Sequence, residues 1–473
     1  LLKPFKHQAD ELLNSGDKIF HAIFWDQGTG KTKLMLDNVV HLARKGEIDA
    51  VLILAPNGVH RNWIEEEIPK HLGNGLFADF WTSSKAGTQR HQRRFKAALT
   101  DKFPIVAMTY EGFMTARGKA WAKKFLTKRE VMFILDESTA IKTPGAKRTK
   151  TLVAAGKYAK YRRILTGTPA TNGPFDVYSP LRFLDNGFWK RHGFPTFTEF
   201  KHHFGIWQKG HNSEQGRDYE FVTGYRNLDQ LKRMLDPVSS RVTKDEVLDL
   251  PPKLYSKRQF ELSKEQKRVY EEIRNEALAF LASGDLVTAP LAIVRLLRLQ
   301  QVTSNYMPVD DDGPLVPIDP KKNPRLDCLG ALLEEVNHQA IIWAKFRKDI
   351  DQIMDLLGKK AVRYDGATDS DARAAAKAAF QAGEAQYFVG NPAAGGMGLT
   401  LTAARTVIYY NNSFRLVDRL QSEDRAHRIG QPHPVDYVDI MATGTVDVRI
   451  AASLRAKVDV MSKITGDKLR EWI

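Results

Sequence analysis

Two α/β lobes, each a doubly wound parallel sheet carrying helical insertions, are the fold class this sequence predicts. Three observations carry it. Short apolar runs that read as fully buried strands alternate with helix-compatible segments. The alternation stops in the middle of the chain and then resumes. A glycine-spaced turn stands between the first such run and the first such helix.

The 473 residues suggest roughly three domains at about 150 residues each, or two large ones with insertions. The composition, 42% hydrophobic and 27% charged, is that of a soluble globular protein. No apolar stretch approaches the roughly 20 residues of a membrane span, so no membrane association is expected. The opening LLKPFKHQADELLNSGDK interleaves charge with apolar residues and lacks the apolar block of a signal peptide, which predicts a cytoplasmic or nuclear setting. The first residue is not methionine, which leaves flanking domains open. A single cysteine, Cys328, excludes an internal disulfide and any thiolate metal cluster; it reads as a small hydrophobe, and zinc is not expected. The formal charge of +15 draws polyanions, nucleic acid first among them, in a salt-dependent way. Basic clusters such as RHQRRFK at 90–96 also fit ordinary solvated helix faces.

In chain order, the apolar run 19–24 leads into WDQGTGKT (25–32) and then KLMLDNVVHLA, a strand, a turn and a helix. Buried strands follow at 51–55 (VLILA), 104–108 (PIVAM), 131–135 (VMFIL) and 162–166 (RRILT). Residues 181–235 turn aromatic and basic with little strand signal, which predicts a helical insertion and closes a first lobe at 1–240. The tract 241–253, RVTKDEVLDLPPK, ends in paired prolines that oppose helix, and is expected to be the linker. The second lobe, 254–473, begins with a helical segment at about 262–310 and an acidic loop. Strands are then expected at 340–344 (AIIWA), 361–365 (AVRYD), 386–390 (QYFVG), 406–410 (TVIYY) and 435–440 (VDYVDI). No fixed-period repeat or low-complexity tract is evident.

Three groups of residues carry chemistry. A strand, a glycine-spaced turn and a helix point backbone N–H groups, a helix N-terminus and one lysine at a phosphate chain. Gly28 and Gly30 would let the backbone approach, Lys31 would reach the β- and γ-phosphates, and the Thr32 hydroxyl would hold Mg²⁺. Trp25 stands where the strict pattern has glycine, so the match is to a looser variant. LDES at 135–138 places two carboxylates at a strand end: Asp136 for Mg²⁺ and Glu137 for the attacking water. TGTP at 166–169 ends the next strand, where a loop could sense the γ-phosphate or simply turn. In the second lobe AAGGMGLTLTAA (393–404) is glycine-rich after a strand. QSEDRAHRIGQ (421–431) follows, and its Arg425 and Arg428, three apart, are expected on one helix face as transition-state arginines.

The order and spacing of these stretches resemble the Swi/Snf-type ATPases, double-stranded DNA translocases of helicase superfamily two, over nearly the whole chain. The resemblance lies in DESTAIKTPGAKRTKTLVAAGKYAKYRRILTGTPATNGPFDVYSPLRFL, in NNSFRLVDRLQSEDRAHRIGQ and in RLLRLQQVTSN. It implies two RecA-like lobes, ATP and Mg²⁺ as cofactors, and double-stranded DNA, plain, forked or branched, as partner of a monomer. By resemblance Gln8 recognises adenine, and Gly28, Thr29, Gly30, Lys31 and Thr32 form the nucleotide loop. Asp136 and Glu137 serve metal and water, and Thr166, Gly167 and Thr168 couple the lobes. Gly396 and Gly398 match the fifth motif and Gln421, Arg425 and Arg428 the sixth, with Gly398 and Gln421 on the nucleotide side. Asn57 and Tyr110 in the first lobe, and Thr400 and Thr402 in the second, lie where the family touches the DNA backbone.

The sequence departs from the family at Trp25 and Asp26, where an acidic pair is usual, and at Thr139, which replaces a common histidine. No histone-reading module is visible, so the chain resembles a minimal bacterial or phage-like motor. A strand-separating or branch-migrating helicase uses the same motifs, with a wedge in an insertion. The aromatic stretch 188–207 could stack on bases or pack as a small core. A non-hydrolysing DNA-binding scaffold is the third reading, opposed by intact Lys31, Asp136, Glu137, Arg425 and Arg428.

Overall fold

The computed structural model describes residues 3–212, 217–282, 289–309, 313–393 and 399–467. Its strands are β1 (Phe20–Trp25), β2 (Ala50–Ala55), β3 (Ala78–Phe80), β4 (Ile105–Thr109), β5 (Val131–Asp136), β6 (Tyr161–Leu165), β7 (Gly205–Asn212), β8 (Arg217–Tyr225) and β9 (Ser239–Val242). They continue with β10 (Lys253–Phe260), β11 (Tyr306–Pro308), β12 (Leu315–Pro317), β13 (Ala340–Trp343), β14 (Ala361–Tyr364), β15 (Tyr387–Gly390), β16 (Thr406–Tyr409) and β17 (Val435–Ala442). The chain divides into two compact units, which meet in sequence at Asp249 and Leu250. The first also takes in Asp459–Leu469, and the second Ile206–Gly224.

The first unit is built on a seven-stranded sheet in the order β3-β4-β2-β5-β6-β1-β9, every pairing parallel. Parallel strands are covered by helices on both faces, so they must be apolar throughout. The run 51–55 meets that demand, with each residue fully buried. Strand order brings the ends of β5, β6 and β1 side by side, which sets the carboxylate pair, the TGT loop and the phosphate loop on neighbouring strand ends.

Arg163 on β6 fixes the N-terminal helix Lys6–Ser15 against this sheet. Its guanidinium is almost fully buried and donates to Asn38 Oδ1 at 3.1 Å and to the carbonyls of Ser15 and Gly16 at 3.3 Å each. Burial lowers its pKa to about 10. One consequence is that Gln8, about two turns upstream of Ser15 in that helix, is held in place against the phosphate loop.

The second unit carries a six-stranded parallel sheet in the order β10-β17-β16-β13-β15-β14. Successive side chains of a strand face opposite ways. Ile341, Trp343, Phe388 and Val407 accordingly fill one core layer, and Ala340, Ile342, Val389 and Ile408 the other. Behind it, buried Arg325 donates to the carbonyls of Thr303 (3.0 Å), Ile440 (3.1 Å) and Tyr410 and pairs with Asp447. It thereby ties two helix ends, Thr303 and Asp447, to β16 and β17.

All the expected strands are present, and the helices Lys264–Ala282 and Ala289–Thr303 lie where the mid-chain periodicity puts them. Two expectations need correction. The insertion is not wholly helical: after helices Phe188–Arg191 and Phe197–Phe204 comes a hairpin, β7 and β8, and then helix Leu228–Leu235. Its aromatics divide, with Phe188, Trp189, Phe194, Phe200 and Phe204 buried in a local core and Tyr219 and Phe221 exposed on the hairpin. The expected linker 241–253 also overlaps structured elements at both ends, because β9 pairs with β1 and β10 with β17. Both are sheet edges, and an edge strand such as SSRV needs no apolar run. Among the described residues no helix is long and apolar enough to cross a membrane.

Arg325→Met would strand the Asp447 charge and three carbonyls in the core of the second unit. The expected loss is about 3–5 kcal/mol of that unit's stability, read by chemical denaturation; an unshifted midpoint would contradict it.

Candidate functional site: a nucleotide cradle in the first unit

The loop between β1 and helix Lys31–Arg44 depends on two left-handed glycines, Gly28 (φ 84°) and Gly30 (φ 87°). These conformations are open to glycine at little cost, and they turn successive N–H groups inward. Gly30 has a second reason to lack a side chain: a Cβ there would lie 2.0 Å from Gln8 Nε2. Gln8 donates to the Gly30 carbonyl at 3.2 Å, and its Oε1 accepts from Phe5 N–H at 2.9 Å. His7, which sequence reasoning passed over, meets the Thr29 carbonyl at 2.9 Å and lies against Trp25. Gln8 is thus bonded to the loop itself.

Thr29 is buried and its hydroxyl donates to the Asp26 carbonyl at 2.8 Å. Lys31 Nζ rests on the carbonyls of Trp25 (2.8 Å) and Asp26 (3.1 Å). Thr32 follows it in the first turn of the helix. The departure at 25–26 has a structural use: Trp25 Nε1 donates to Ser240 Oγ at 2.8 Å, and Asp26 pairs with Arg241 at 2.6 Å. Arg241 also pairs with Asp467 at 2.7 Å and donates to Gly167 O at 3.4 Å, so β9 supplies a brace behind the loop that its polar sequence did not announce.

Asp136 ends β5, and Glu137 follows in the left-handed region at φ 50°, ψ 58°. A non-glycine residue held there stores strain of about 1–3 kcal/mol. The surroundings impose it: Thr166 Oγ1 donates to Glu137 Oε2 at 3.2 Å and Gln27 Nε2 to Oε1 at 3.4 Å. Glu137 N–H in turn donates to Asp136 Oδ1 at 3.0 Å, and Trp63 Nε1 to Oδ2 at 2.9 Å. Burial raises both carboxyl pKa values; beyond burial, the Asp136 charge pushes Glu137 up further and Lys31 draws both down. Thr168 N–H donates to Thr166 Oγ1 at 3.1 Å, and Gly167 sits where a Cβ would be 3.2 Å from the Trp25 carbonyl. The TGT loop therefore packs on the phosphate loop while its threonine holds the glutamate.

The oxygen donors suit a hard divalent cation. Mg²⁺ keeps several waters and takes one or two carboxylates plus substrate phosphates. Asp136 and the Thr32 hydroxyl supply that kind of set, and the described residues hold no group of three or more His, Cys, Asp or Glu able to bind a metal by itself.

The residues expected to contact DNA fare differently. Asn57 is exposed in the turn after β2. Tyr110 is not available as a surface contact: its side chain is 2% exposed and its hydroxyl donates inward to the Asp136 carbonyl at 2.8 Å.

In the second unit Thr400 and Thr402 are half-buried. Gln421 lies in helix Leu416–Glu423; Gly396 and Gly398 fall outside the described residues. Arg425 and Arg428 do not share a helix, because the helix stops at Glu423 and the Arg425 carbonyl is given to Leu401 N–H at 2.9 Å. They still converge, each guanidinium donating to the Leu399 carbonyl at 3.4 Å. Gln431, last of RAHRIGQ, donates to the carbonyls of Thr402, Ala404 and Ala426 and staples these loops together.

A glycine-spaced loop after β1, its lysine, and a carboxylate pair at the end of β5 whose Glu137 is strained lie on one edge of a parallel sheet and define a site shaped for a nucleoside triphosphate. A model of the SNF2-related domain matches residues 21–305, and one of the helicase conserved C-terminal domain residues 324–430. The chain belongs to the SNF2-related family of helicase-like ATPases.

It is 27% identical over 460 residues to the probable ATP-dependent DNA helicase CHR12 of Arabidopsis thaliana, covering 93% of this chain and 39% of that protein. It is 26% identical over 500 residues to the ATP-dependent helicase fft1 of Schizosaccharomyces pombe, covering 93% and 50%. The chain thus spans half or less of the length of these curated relatives. Among solved structures it is similar to the Sulfolobus solfataricus SWI2/SNF2 ATPase core in complex with dsDNA, with 20% identity, a TM-score of 0.42 and coverage of 99% and 96%.

If Glu137 is strained as its backbone indicates, Glu137→Gly should be more stable than Glu137→Ala by about 1 kcal/mol. Both lose the same side chain, so equal thermal midpoints would remove the strain from the account.

Proposed function

We propose that this chain is a DNA-stimulated ATPase that couples ATP hydrolysis to translocation along double-stranded DNA, remodelling DNA or protein–DNA complexes. The observation that carries the hydrolytic part is the capture of Glu137 between Thr166 and Gln27, beside Asp136 and the phosphate loop. On ATP binding, Lys31 exchanges two backbone carbonyls for the β- and γ-phosphates, which are better partners for an ammonium. Glu137 orients and polarises a water for in-line attack on the γ-phosphorus. The bond from that phosphorus to the bridging oxygen breaks, leaving ADP and phosphate.

Asp136 and Thr32 would hold Mg²⁺, which when bound neutralises charge on the phosphates. Arg425 and Arg428 are proposed to stabilise the transition state, and Gln8, Gly398 and Gln421 to complete the nucleotide site. Thr166, Gly167 and Thr168 would pass nucleotide state onward, since they touch both the loop and the glutamate.

DNA as the track is supported by the charge of +15 and by the relatives' printed description as ATP-dependent helicases. Phosphate contacts by Asn57, Thr400 and Thr402 would be sequence-independent. A strand-separating helicase is the second reading. It gains from the hairpin of β7 and β8, which exposes Tyr219 and Phe221 at a place where bases could stack.

Lys31→Ala and Glu137→Gln test the site. Each should abolish ATP turnover while leaving duplex binding, measured by fluorescence anisotropy, within a few-fold of the parent. Normal hydrolysis by either variant would refute the assignment.

A further inference from the structure

We infer that Trp63 and Tyr110 are positioning residues that clamp Asp136, and that through them two surface segments of the first unit act on the metal-binding carboxylate; this rests on the ATP-site reading above.

Trp63 is 1% exposed and spends its only polar atom on Asp136 Oδ2, at 2.9 Å and 73 residues' separation. Other buried tryptophans of this chain do otherwise: Trp121 and Trp189 donate to backbone carbonyls and Trp25 to a serine hydroxyl. An indole N–H is a donor only and does not titrate, so its bond to a carboxylate persists whether or not a cation is present. With Trp63 on Oδ2 and Glu137 N–H on Oδ1, each oxygen is held by one donor and keeps a lone-pair direction for a cation or its waters. Donors of this kind around a ligating carboxylate fix its orientation.

The backbone at Trp63 is specialised to the same end. Residues Trp63–Glu67 form a π-helical turn, with Ile68 N–H reaching the Trp63 carbonyl. Such turns are rare and concentrate at functional sites. The turn continues helix Val59–Asn62, which starts directly after the exposed Asn57 and Gly58.

Tyr110 makes the second grip. It opens helix Tyr110–Met114 after β4, and its hydroxyl donates to the main-chain carbonyl of Asp136 at 2.8 Å. The Arg148 guanidinium lies 5.8 Å from the centre of its ring and pairs at 2.6 Å with exposed Glu111. One surface segment therefore holds the carboxylate by its side chain and another by its backbone.

The test compares Trp63→Phe, which keeps an aromatic ring but removes the N–H, and Tyr110→Phe, which removes only a hydroxyl, with Asp136→Asn. A fluorescent non-hydrolysable ATP analogue is titrated with Mg²⁺ at equilibrium, and kcat and KM are measured with and without duplex DNA. Trp63→Phe should raise the Mg²⁺ needed for half-saturation by about 10-fold while binding of the analogue without metal stays at the parental value. Tyr110→Phe should lower kcat at saturating duplex more than it lowers kcat without DNA. Parental Mg²⁺ dependence in Trp63→Phe, alongside a shifted dependence in Asp136→Asn, overturns the clamp and leaves the ATP site standing. No shift in Asp136→Asn overturns the site reading itself. Unchanged duplex stimulation in Tyr110→Phe removes the link to the surface segments. Should Trp63→Phe fail to fold, the same titration on protein carrying the isosteric benzothienyl analogue of tryptophan, sulfur in place of N–H, decides between these outcomes.

Discussion

Parallel pairing of β5, β6 and β1 is the constraint on which the nucleotide site rests. Strands hydrogen-bonded side by side lie about 4.8 Å apart and end on the same edge, so the loops that leave them must meet. Met132 pairs with Tyr161 and Phe20 with Arg162, which sets the TGT loop between the phosphate loop and the carboxylate pair. Thr166 can then reach Glu137, and Gly167 can lie against Trp25. The apolar runs that build these strands decide the chemistry at their ends, because a slip of one residue would turn every inward side chain to the other face.

Strain and charge at the strand ends are held by what surrounds them. Glu137 adopts a left-handed backbone that its own side chain disfavours, and two hydrogen bonds from neighbouring loops keep it there. Lys31 is parked on two carbonyls, and Asp26 beneath it is paired with Arg241. The loop is thus held by bonds from the protein's own groups. The second unit uses related ties: Arg325 gathers three carbonyls and Asp447, Arg419 pairs helix Leu416–Glu423 with Asp439 on β17, and Gln431 takes the carbonyls of Thr402, Ala404 and Ala426 beside the segment that carries Arg425 and Arg428.

Much of this was legible in the chain itself, for physical reasons. Buried parallel strands must be apolar along their length, so 51–55, 131–135 and 406–410 announce themselves. The glycines at 28 and 30 announce a loop that needs positive φ. Edge strands carry no such signal: SSRV of β9 is polar and half-exposed, and the expected linker, 241–253, begins inside it. The hairpin of β7 and β8 was hidden in an aromatic-basic stretch whose preceding helices do pack as a core. Arg425 and Arg428 at a spacing of three suggested a helix, but the Arg425 carbonyl is claimed by Leu401 and the chain turns instead. Trp63 was invisible as a functional residue because HRNWIEEE fits an ordinary amphipathic turn; only the fold shows where the indole points. Tyr110 reversed its expected direction, facing the carboxylate strand rather than solvent.

The measurement closest to the central claim is steady-state ATP hydrolysis with no nucleic acid, with single-stranded DNA, with plain duplex and with a forked duplex, using Lys31→Ala as the blank. The account predicts strong stimulation by plain duplex, unneeded by any fork. Turnover driven mainly by single strands or forks would contradict duplex translocation, and no turnover under any of the four conditions would contradict the motor itself.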